Sequence, residues 1–355
     1  MGKKEYMPVE DIKKYVLSNY PYEIYDVKQI KFKDTDKQRA VYKFESSNGS
    51  KCLKKVYFNE ENLLFIYSVI EWLYRHGINL PRLLPTKTGG KYVEYKGNLF
   101  IVTDWIEGRK CDYDNDMDVA MAAKNLGKMH ICTYNFTPIE GSLIRRDDYN
   151  WYKTFSRRYS QLMKFYNKAL TQDDKFSKLF IESFDYYFER AKNAVYYLSR
   201  IDNKDLTIPV DKYNTICHLD YVNKNIIVTD CNDLYVIDFD KCKVDIPIHD
   251  LGTFLKRILK RKKTCWSFDI LLMVLENYEK ERILTLSENI GLLAYLEFPQ
   301  KYWKVSRDYY SNRKKYDKDI LIKMLKDVNN QQKEHSIFCD NFKLYIEEKF
   351  NISLS

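Results

Sequence analysis

The stretch T-I-C-H-L-D-Y-V-N-K-N-I-I-V-T-D-C-N-D-L-Y-V-I-D-F-D, residues 215–240, decides the fold of this chain. An apolar run leads into His218, and a short polar loop closes at Asn225. Two β-rich runs, 226–228 and 234–237, flank the D-C-N-D segment, whose residues favour turns, so we predict a β-hairpin. Acidic and amide side chains therefore cluster where strands end, and such positions commonly carry functional polar groups.

The spacing of these polar residues predicts phosphoryl transfer. His218 and Asp220 precede Asn225, and Asp238 ends the second strand. This is the order of the kinase catalytic-loop motif and of the magnesium-binding aspartate that follows it. Asp220 would accept or orient the proton of an acceptor hydroxyl, while Asn225 and Asp238 would offer oxygen ligands to Mg²⁺. Turn capping explains each residue alone, but four positions in order favour the catalytic interpretation.

Length and composition indicate a folded chain with two domains or one large bilobal unit. Of the 355 residues, 45% are hydrophobic and 31% are charged, and the formal net charge is +9. Acidic residues are also abundant, so an anionic ligand fits this composition better than nucleic acid does. The 31 tyrosines indicate extensive half-buried packing or a surface made for assembly.

The cysteines and the hydropathy pattern narrow the cellular context. The eight cysteines include no C-x-x-C pair, which argues against a disulfide framework or a metal knuckle. The N-terminus lacks the apolar segment of a signal peptide, and no run of about 18 apolar residues occurs. We therefore expect a protein of a reducing compartment, without a signal peptide or a transmembrane segment.

The N-terminal part is predicted to form a sheet followed by a helix. Three strand-like runs precede the helix, with a strong Asn48-Gly49 turn signal before the third. Residues 33–37 contain no glycine, so a glycine-rich phosphate cradle is not expected. The third strand carries Lys54 and Lys55 on opposite faces. Both faces are apolar, so alternation leaves both lysines open, and we favour Lys54 because kinase-like folds place a phosphate-binding lysine there.

The predicted helix over 60–75 carries Glu61 on the same stripe as Phe65, the right place to pair with Lys54. Glu71 is the alternative partner. A second hairpin follows and ends in D-W-I-E-G, residues 104–108. This segment is interpreted either as a kinase hinge, whose backbone groups hold adenine, or as an ordinary exit from a strand.

The remaining pattern is mainly helical. We predict helices over 117–134, 151–170, 176–199, 267–280, 286–297, 299–312 and 318–350, and one that opens at Pro247. Asp250 near the start of that last helix braces the catalytic loop or complements the helix dipole. The basic run at 256–263 is either a solvated helix end or a site that recruits an anionic substrate or partner.

These motifs resemble the aminoglycoside phosphotransferase and choline kinase branch of the protein-kinase-like fold. Within that branch, the chain looks most like the CotS family of bacterial spore-coat proteins. The stretches that carry the resemblance are D-W-I-E-G (104–108), H-L-D-Y-V-N-K-N (218–225), V-I-D-F-D (236–240), I-P-I-H-D-L-G (246–252) and L-L-A-Y-L-E-F-P-Q-K-Y-W (292–303).

The resemblance implies an α+β bilobal fold that uses ATP and Mg²⁺. Residues 1–104 would form a small antiparallel β-sheet N-lobe that covers the nucleotide. Residues 105–355 would form a mainly helical C-lobe with the catalytic loop and the acceptor site.

The resemblance also assigns roles by position. Asp220 is the catalytic base, and Asn225 and Asp238 bind magnesium. Lys54 binds phosphate and pairs with Glu61. Two residues that offer backbone groups to adenine and one auxiliary acid complete the set: Asp104, Ile106 and Asp240.

The implied function is a spore-coat-associated phosphotransferase that moves the γ-phosphoryl group of ATP to a hydroxyl acceptor, either a small molecule or a coat protein. It would be made in the mother-cell cytoplasm and deposited on the spore beside other coat proteins. One departure is Leu219, where relatives that phosphorylate small molecules usually have glycine. The alternative is a catalytically silent coat component that keeps the fold for assembly. Neither nucleic acid nor a membrane is an expected partner.

Overall fold

The computed structural model describes residues 6–33, 38–146, 150–311 and 317–354. The strands are β1 (Ile24–Lys33), β2 (Arg39–Ser46), β3 (Gly49–Lys55), β4 (Val93–Tyr95), β5 (Asn98–Asp104), β6 (Arg109–Lys110), β7 (Ile216–Cys217), β8 (Ile226–Val228), β9 (Leu234–Val236) and β10 (Lys243–Val244). The helices are α1 (Val9–Asp11), α2 (Glu60–Arg75), α3 (Asp116–Cys132), α4 (Trp151–Ala169), α5 (Lys175–Glu182), α6 (Phe184–Ser199), α7 (Asn203–Asp211), α8 (Pro247–Leu259), α9 (Phe268–Glu279), α10 (Leu286–Glu297), α11 (Gln300–Ser311), α12 (Lys318–Asn329) and α13 (Gln332–Phe350). Short π- or 3-10-helical turns occur at Ile12–Val16, Leu17–Asn19, Asn223–Asn225 and Phe239–Lys241.

The chain divides into two compact units. Unit 1 consists of Met1–Asp112, Phe136–Arg146 and Asp220–Lys243. Unit 2 consists of Tyr113–Asn135, Asp147–Leu219 and Val244–Ser355. The motif of residues 215–240 thus contributes its first residues to unit 2 and the remainder to unit 1.

Unit 1 contains a five-stranded antiparallel sheet in the order β1-β2-β3-β5-β4. The predicted Asn48-Gly49 hairpin turn is confirmed, because Gly49 pairs with Ser46 and has a φ of +82°, which glycine adopts without steric cost. The core of the sheet consists of Ile12, Val16, Leu17, Tyr20, Val27, Ala40, Tyr42, Phe44, Leu53, Val93, Phe100 and Val102. The prediction about residues 33–37 falls mostly outside the described residues.

A second sheet of unit 1, in the order β6-β8-β9, contains the hairpin expected from the central motif. The backbone N–H of Ile237 donates to the C=O of Asn225 at 2.9 Å. This bond joins the end of the catalytic-type loop to the residue before Asp238. Asn225 and Ile237, which are separated by the β8–β9 hairpin along the chain, are therefore adjacent in the structure.

Unit 2 is mainly helical. Helix α3 packs against α9, α6 packs against α4 and α10, and α10 also contacts α8 and α13. Thr285 and Glu288 form a capping box that satisfies backbone groups at the start of α10. The long aromatic side chains at the centre of this unit, among them Phe180, Tyr278 and Tyr302, are fully buried.

The structure corrects three helix predictions in unit 2. The single helix expected over 176–199 is two helices that meet at Ser183, whose hydroxyl donates to the C=O of Leu179 and competes with the helical backbone bonds. The helix expected over 318–350 is likewise divided, at Asn330. Helix α7 was not predicted, since it is short and contains Pro209.

No helix among the described residues has the length and apolarity required to cross a lipid bilayer.

Candidate active site

The amine of Lys54 lies between two aspartates that follow β9. Its Nζ is 2.5 Å from Asp238 Oδ1 and 2.6 Å from Asp240 Oδ1. Strand β3 supplies the lysine, and its pairing with β2 and β5 on either side places Lys54 at the middle of the sheet. The structure therefore brings together three of the polar residues singled out from sequence, although more than 180 positions separate Lys54 from the two aspartates.

The charges of this cluster compensate for its burial. The Lys54 side chain is 16% exposed and that of Asp240 is 6% exposed. Burial by itself lowers the pKa of Lys54, but the charges of Asp240 and Asp238 and their hydrogen bonds outweigh it, so the pKa is raised above its ordinary value. Burial also raises the pKa of the neighbouring Cys52 thiol to about 11. Lys54 is thus a permanent cation held by two carboxylates.

Two arginines that sequence reasoning missed also approach Asp240. Arg39 Nη1 lies 3.7 Å from Asp240 Oδ2, and the Arg39 guanidinium covers the Tyr57 ring at 4.1 Å. Arg145 Nη1 donates to the backbone C=O of Asp240 at 2.7 Å. Neither arginine belongs to a motif or a periodic pattern that relates it to the central stretch, so no sequence signal was present.

Asp220 and Asn225 lie against each other in the loop before β8. Asn225 Nδ2 donates to the backbone C=O of Asp220 at 2.9 Å and to its Oδ2 at 3.1 Å. Within the described residues, the amide oxygen of Asn225 accepts no hydrogen bond, which leaves it as a potential ligand. Two lysines flank the Asp220 carboxylate: Lys241 Nζ at 3.2 Å and Lys224 Nζ at 3.6 Å.

Three residues of the central motif, Leu219, Asn232 and Asp238, have left-handed backbone conformations. Asp238 has φ 67° and ψ 61°, and Leu219 has φ 57°. Such conformations cost non-glycine residues of the order of 1 kcal/mol and require support from their surroundings. Leu219 stands where related small-molecule kinases usually have glycine, and glycine would adopt this conformation without the cost that leucine incurs.

Within unit 2, a buried carboxylate supports the backbone at Leu219. Asp250 accepts hydrogen bonds from the backbone N–H of His218 at 2.5 Å and of Leu219 at 2.7 Å. Burial raises the pKa of Asp250, but the His130 ring 3.5 Å away and these N–H groups outweigh it, so the pKa lies below its usual range. Of the two interpretations of Asp250, the contacts favour bracing of the residues that precede Asp220.

The structure does not bring a carboxylate of α2 to Lys54. Glu61 lies exposed in the first turn of α2 and forms no ion pair with any described residue. Glu71, the alternative, pairs instead with Arg82, with Nε–Oε1 at 2.9 Å and Nη2–Oε2 at 2.5 Å. The turn that carries Asp240 packs on α2. The carboxylate of Asp240, rather than one from α2, lies beside the Lys54 amine.

The segment after β5 is attached to the N-terminal sheet through Asp104 and Trp105. The Asp104 carboxylate accepts from Lys51 Nζ at 2.7 Å, and the backbone N–H of Trp105 donates to the C=O of Ser50 at 3.1 Å. These two contacts attach the segment to β3. No hydrogen bond to the backbone of Ile106 is found within the described part of the chain, so its N–H and C=O can bind a ligand.

Gly108 permits a close backbone contact that Gly108→Ala should break. Its φ is +149°, and a Cβ would lie 2.5 Å from the C=O oxygen of Val228 and 2.8 Å from Cγ2 of Ile227. We expect Gly108→Ala to reduce the free energy of unfolding by about 1–3 kcal/mol, measured by chemical denaturation. The control is Gly97→Ala, since Gly97 also has a positive φ, +68°, but no atom lies within 4 Å of its Cβ position. Equal losses in both variants would show that the close contact has no effect.

Comparison with solved structures identifies the class of fold. The structure of an aminoglycoside phosphotransferase from Alicyclobacillus acidocaldarius superposes with a TM-score of 0.83, at 18% identity, over 98% of each chain. A spectinomycin phosphotransferase gives a TM-score of 0.66, at 16% identity, over 95% of this chain and 99% of the other. The predicted α+β fold of the aminoglycoside phosphotransferase type, with its antiparallel N-terminal sheet and larger helical part, is confirmed.

Sequence comparison then identifies the family. The family model described as "Spore coat putative kinase YutH" matches residues 21–342, so the chain belongs to that family. Spore coat protein S of Bacillus subtilis (strain 168) is 22% identical over 307 residues, 86% of each chain. The predicted resemblance to spore-coat proteins of the CotS type is confirmed, and fold and family together define a kinase-like spore coat protein.

Proposed function

We propose that this protein is an ATP- and Mg²⁺-dependent phosphotransferase that transfers the γ-phosphoryl group to a hydroxyl acceptor. The observation that carries the proposal is the convergence of Lys54 with Asp238 and Asp240 within unit 1. Shielding a lysine and two carboxylates from water costs free energy that their mutual attraction need not repay, so the cluster is weak evidence for a purely stabilising role. Phosphoryl transfer requires such a set, because its catalysis consists mainly of positioning and charge stabilisation.

The donor set fits a magnesium ion. Asp238 offers a carboxylate and Asn225 an amide oxygen, both ligands that Mg²⁺ prefers. The backbone hydrogen bond from Ile237 to Asn225 places Asp238 and Asn225 on adjacent backbone segments. When bound, the ion would neutralise charge that develops on the phosphoryl oxygens.

Each remaining residue has a role that follows from its contacts. Asp220 would orient the acceptor hydroxyl and accept its proton, with its own orientation maintained by Asn225. Lys241 and Lys224 would supply positive charge beside the reacting groups. Lys54 would exchange a carboxylate partner for phosphate oxygens.

The other predicted contacts remain part of this proposal. Asp104 and Ile106 would offer backbone groups to adenine, and the unbonded backbone of Ile106 is consistent with this. Glu61 would pair with Lys54 only after Asp238 turns to the metal ion. Asp240 would stay with the lysine as the auxiliary acid.

The comparisons support nucleotide use and suggest a type of acceptor. The spectinomycin phosphotransferase was solved in complex with ADP and spectinomycin, so this fold accommodates a nucleotide and a small molecule. For this protein we propose a hydroxyl-bearing small molecule or a coat protein as the acceptor. Synthesis in the mother-cell cytoplasm and deposition on the spore coat, beside other coat proteins, complete the proposal.

The direct test is thermal denaturation of the full chain with ATP and Mg²⁺, separately and together. We expect the pair to raise Tm, since a ligand that binds only the native state stabilises it, by about 2.7 kcal/mol at a hundredfold excess over Kd. Lys54→Met should remove most of the shift. Lys28→Met is the matched control, because Lys28 is an exposed lysine of β1 in the same sheet.

An unchanged Tm in the wild-type protein would contradict the proposal and favour the silent coat component. Equal Tm shifts in Lys54→Met and Lys28→Met with ATP and Mg²⁺ would also contradict the proposal. If binding is established, screening metabolites and coat proteins for uptake of the γ-phosphoryl group identifies the acceptor.

A further inference from the structure

Unit 2 contains a cavity of about 780 Å³ that plays no part in the proposed transfer. Its volume falls within the range of sites for small organic ligands. Apolar and aromatic side chains form part of the wall, among them Tyr187, Trp266 and Phe298, which are all buried. The charged groups of the lining are strongly unbalanced: Lys256, Lys260, Lys262, Lys301, Lys323 and Asp327.

The basic run at residues 256–263 is divided by the fold. Arg261 forms an ion pair with Asp114, and Lys263 Nζ donates to the backbone C=O of Asp114 at 2.8 Å. The intervening Lys262 and the preceding Lys256 and Lys260 line the cavity instead. Arg261 and Lys263 therefore have partners within the protein, whereas Lys256, Lys260 and Lys262 line the cavity.

None of the five cavity lysines forms an ion pair with a carboxylate in the part of the chain that the structure describes. Lys256 is half-buried: its Nζ contacts the backbone C=O of Phe298 at 3.3 Å and lies 4.3 Å from the centre of the Tyr295 ring. Lys301 is also half-buried, and its amine lies 3.5 Å from the sulfur of Met324. The side chains of Lys256 and Lys301 are thus partly shielded from solvent, whereas Lys260, Lys262 and Lys323 are exposed.

Helix dipoles offset this positive charge only in part. Helices α8, α10 and α12 end at the cavity with their negative ends, while α11 and α13 begin there with their positive ends. The two contributions oppose each other, and the full charges of the lysines exceed the partial charges of the helix ends. His335, which also lines the cavity, adds no charge near neutrality because burial lowers its pKa to about 3.

We propose that this cavity binds a small phosphorylated molecule with at least two negative charges. Lysine ammonium groups are compact point charges that suit phosphate oxygens, and every basic side chain among the described residues of the lining, apart from His335, is a lysine. The aromatic wall would contact an apolar part of the ligand. This site lies within unit 2 and is independent of the proposed transfer reaction in unit 1.

The electrostatics of the lysines support this assignment. Burial, followed by the charge of Lys260, holds the pKa of Lys256 well below its ordinary value. Burial and the charge of Lys304 likewise lower the pKa of Lys301. An anion among these amines would remove the mutual repulsion that the protein itself leaves uncompensated.

The test is isothermal titration calorimetry of the full chain with tripolyphosphate, in buffer with EDTA and without Mg²⁺. The cavity variant is Lys260→Gln/Lys323→Gln, two exposed lysines whose replacement should leave the core intact. We expect affinity to fall about tenfold or more. The control is Lys164→Gln/Lys168→Gln, which removes the same charge from two exposed lysines of α4 that do not line the cavity.

Three results would overturn the proposal. These are an unchanged affinity in the cavity variant, an equal loss in the α4 control, and loss of binding in Lys54→Met, which would place the anion in unit 1. Citrate, as a polycarboxylate, tests the ligand class, and citrate binding tighter than tripolyphosphate would contradict the phosphate assignment. Normal ATP binding with no tripolyphosphate binding would refute only this inference.

Discussion

A protein carrying Asp238→Asn is expected to lose Mg²⁺-dependent ATP binding and about three orders of magnitude of phosphoryl transfer. Asparagine has the size of aspartate and tolerates the left-handed conformation found at this position, so the change removes a charge rather than the backbone geometry. A bound divalent cation supplies several kcal/mol of transition-state stabilisation. Since about 1.4 kcal/mol corresponds to a factor of ten, a loss of this size follows.

The measurements for Asp238→Asn are ATP titration with and without Mg²⁺ and label transfer from [γ-³²P]ATP to a panel of hydroxyl acceptors. Lys54 keeps its bond to Asp240, which should preserve stability, and circular dichroism checks this. Asp230→Asn is the matched control, because Asp230 is exposed in the turn between β8 and β9. An Asp238→Asn protein with the same Mg²⁺ dependence as the wild type would exclude Asp238 as the metal ligand.

The second large effect is expected for Asp220→Asn, which should reduce turnover about 10²- to 10⁴-fold while ATP affinity stays near that of the wild type. In the proposed reaction, the carboxylate of Asp220 accepts the proton of the acceptor hydroxyl, and an amide cannot take this role. Asn225 and the two flanking lysines would remain in place. The loss should therefore appear in kcat rather than in nucleotide binding.

Steady-state kinetics on an identified acceptor, combined with ATP titration, separate these effects. Asp233→Asn, another exposed aspartate of the β8–β9 turn, controls for the loss of one negative charge. A wild-type kcat in Asp220→Asn would remove Asp220 from the chemical step. A parallel loss of ATP affinity would instead indicate that Asp220 organises the nucleotide site.

Local patterns in the sequence were sufficient to predict many secondary-structure elements. Helix α2 has the predicted bounds, Glu60–Arg75, because Asn59 caps its first turn and His76-Gly77 ends it. The β8–β9 hairpin follows from two apolar runs around a turn-forming segment. Prediction failed at Ser183, where a side-chain hydrogen bond within an otherwise helical pattern interrupts the helix.

The sequence by itself determined the order of the motif residues, their places at strand ends, and hence the class of fold. It could not determine which carboxylate meets Lys54: two on the turn after β9 do so, and Glu61 does not. Nor could the sequence show which residues of the basic run 256–263 pair within the protein and which line the cavity. In the structure, Arg261 pairs with Asp114, while Lys256, Lys260 and Lys262 line the cavity. Periodicity and turn chemistry act between neighbours along the chain. Ion pairs depend on distances of a few ångströms between distant segments, and only tertiary packing sets those distances.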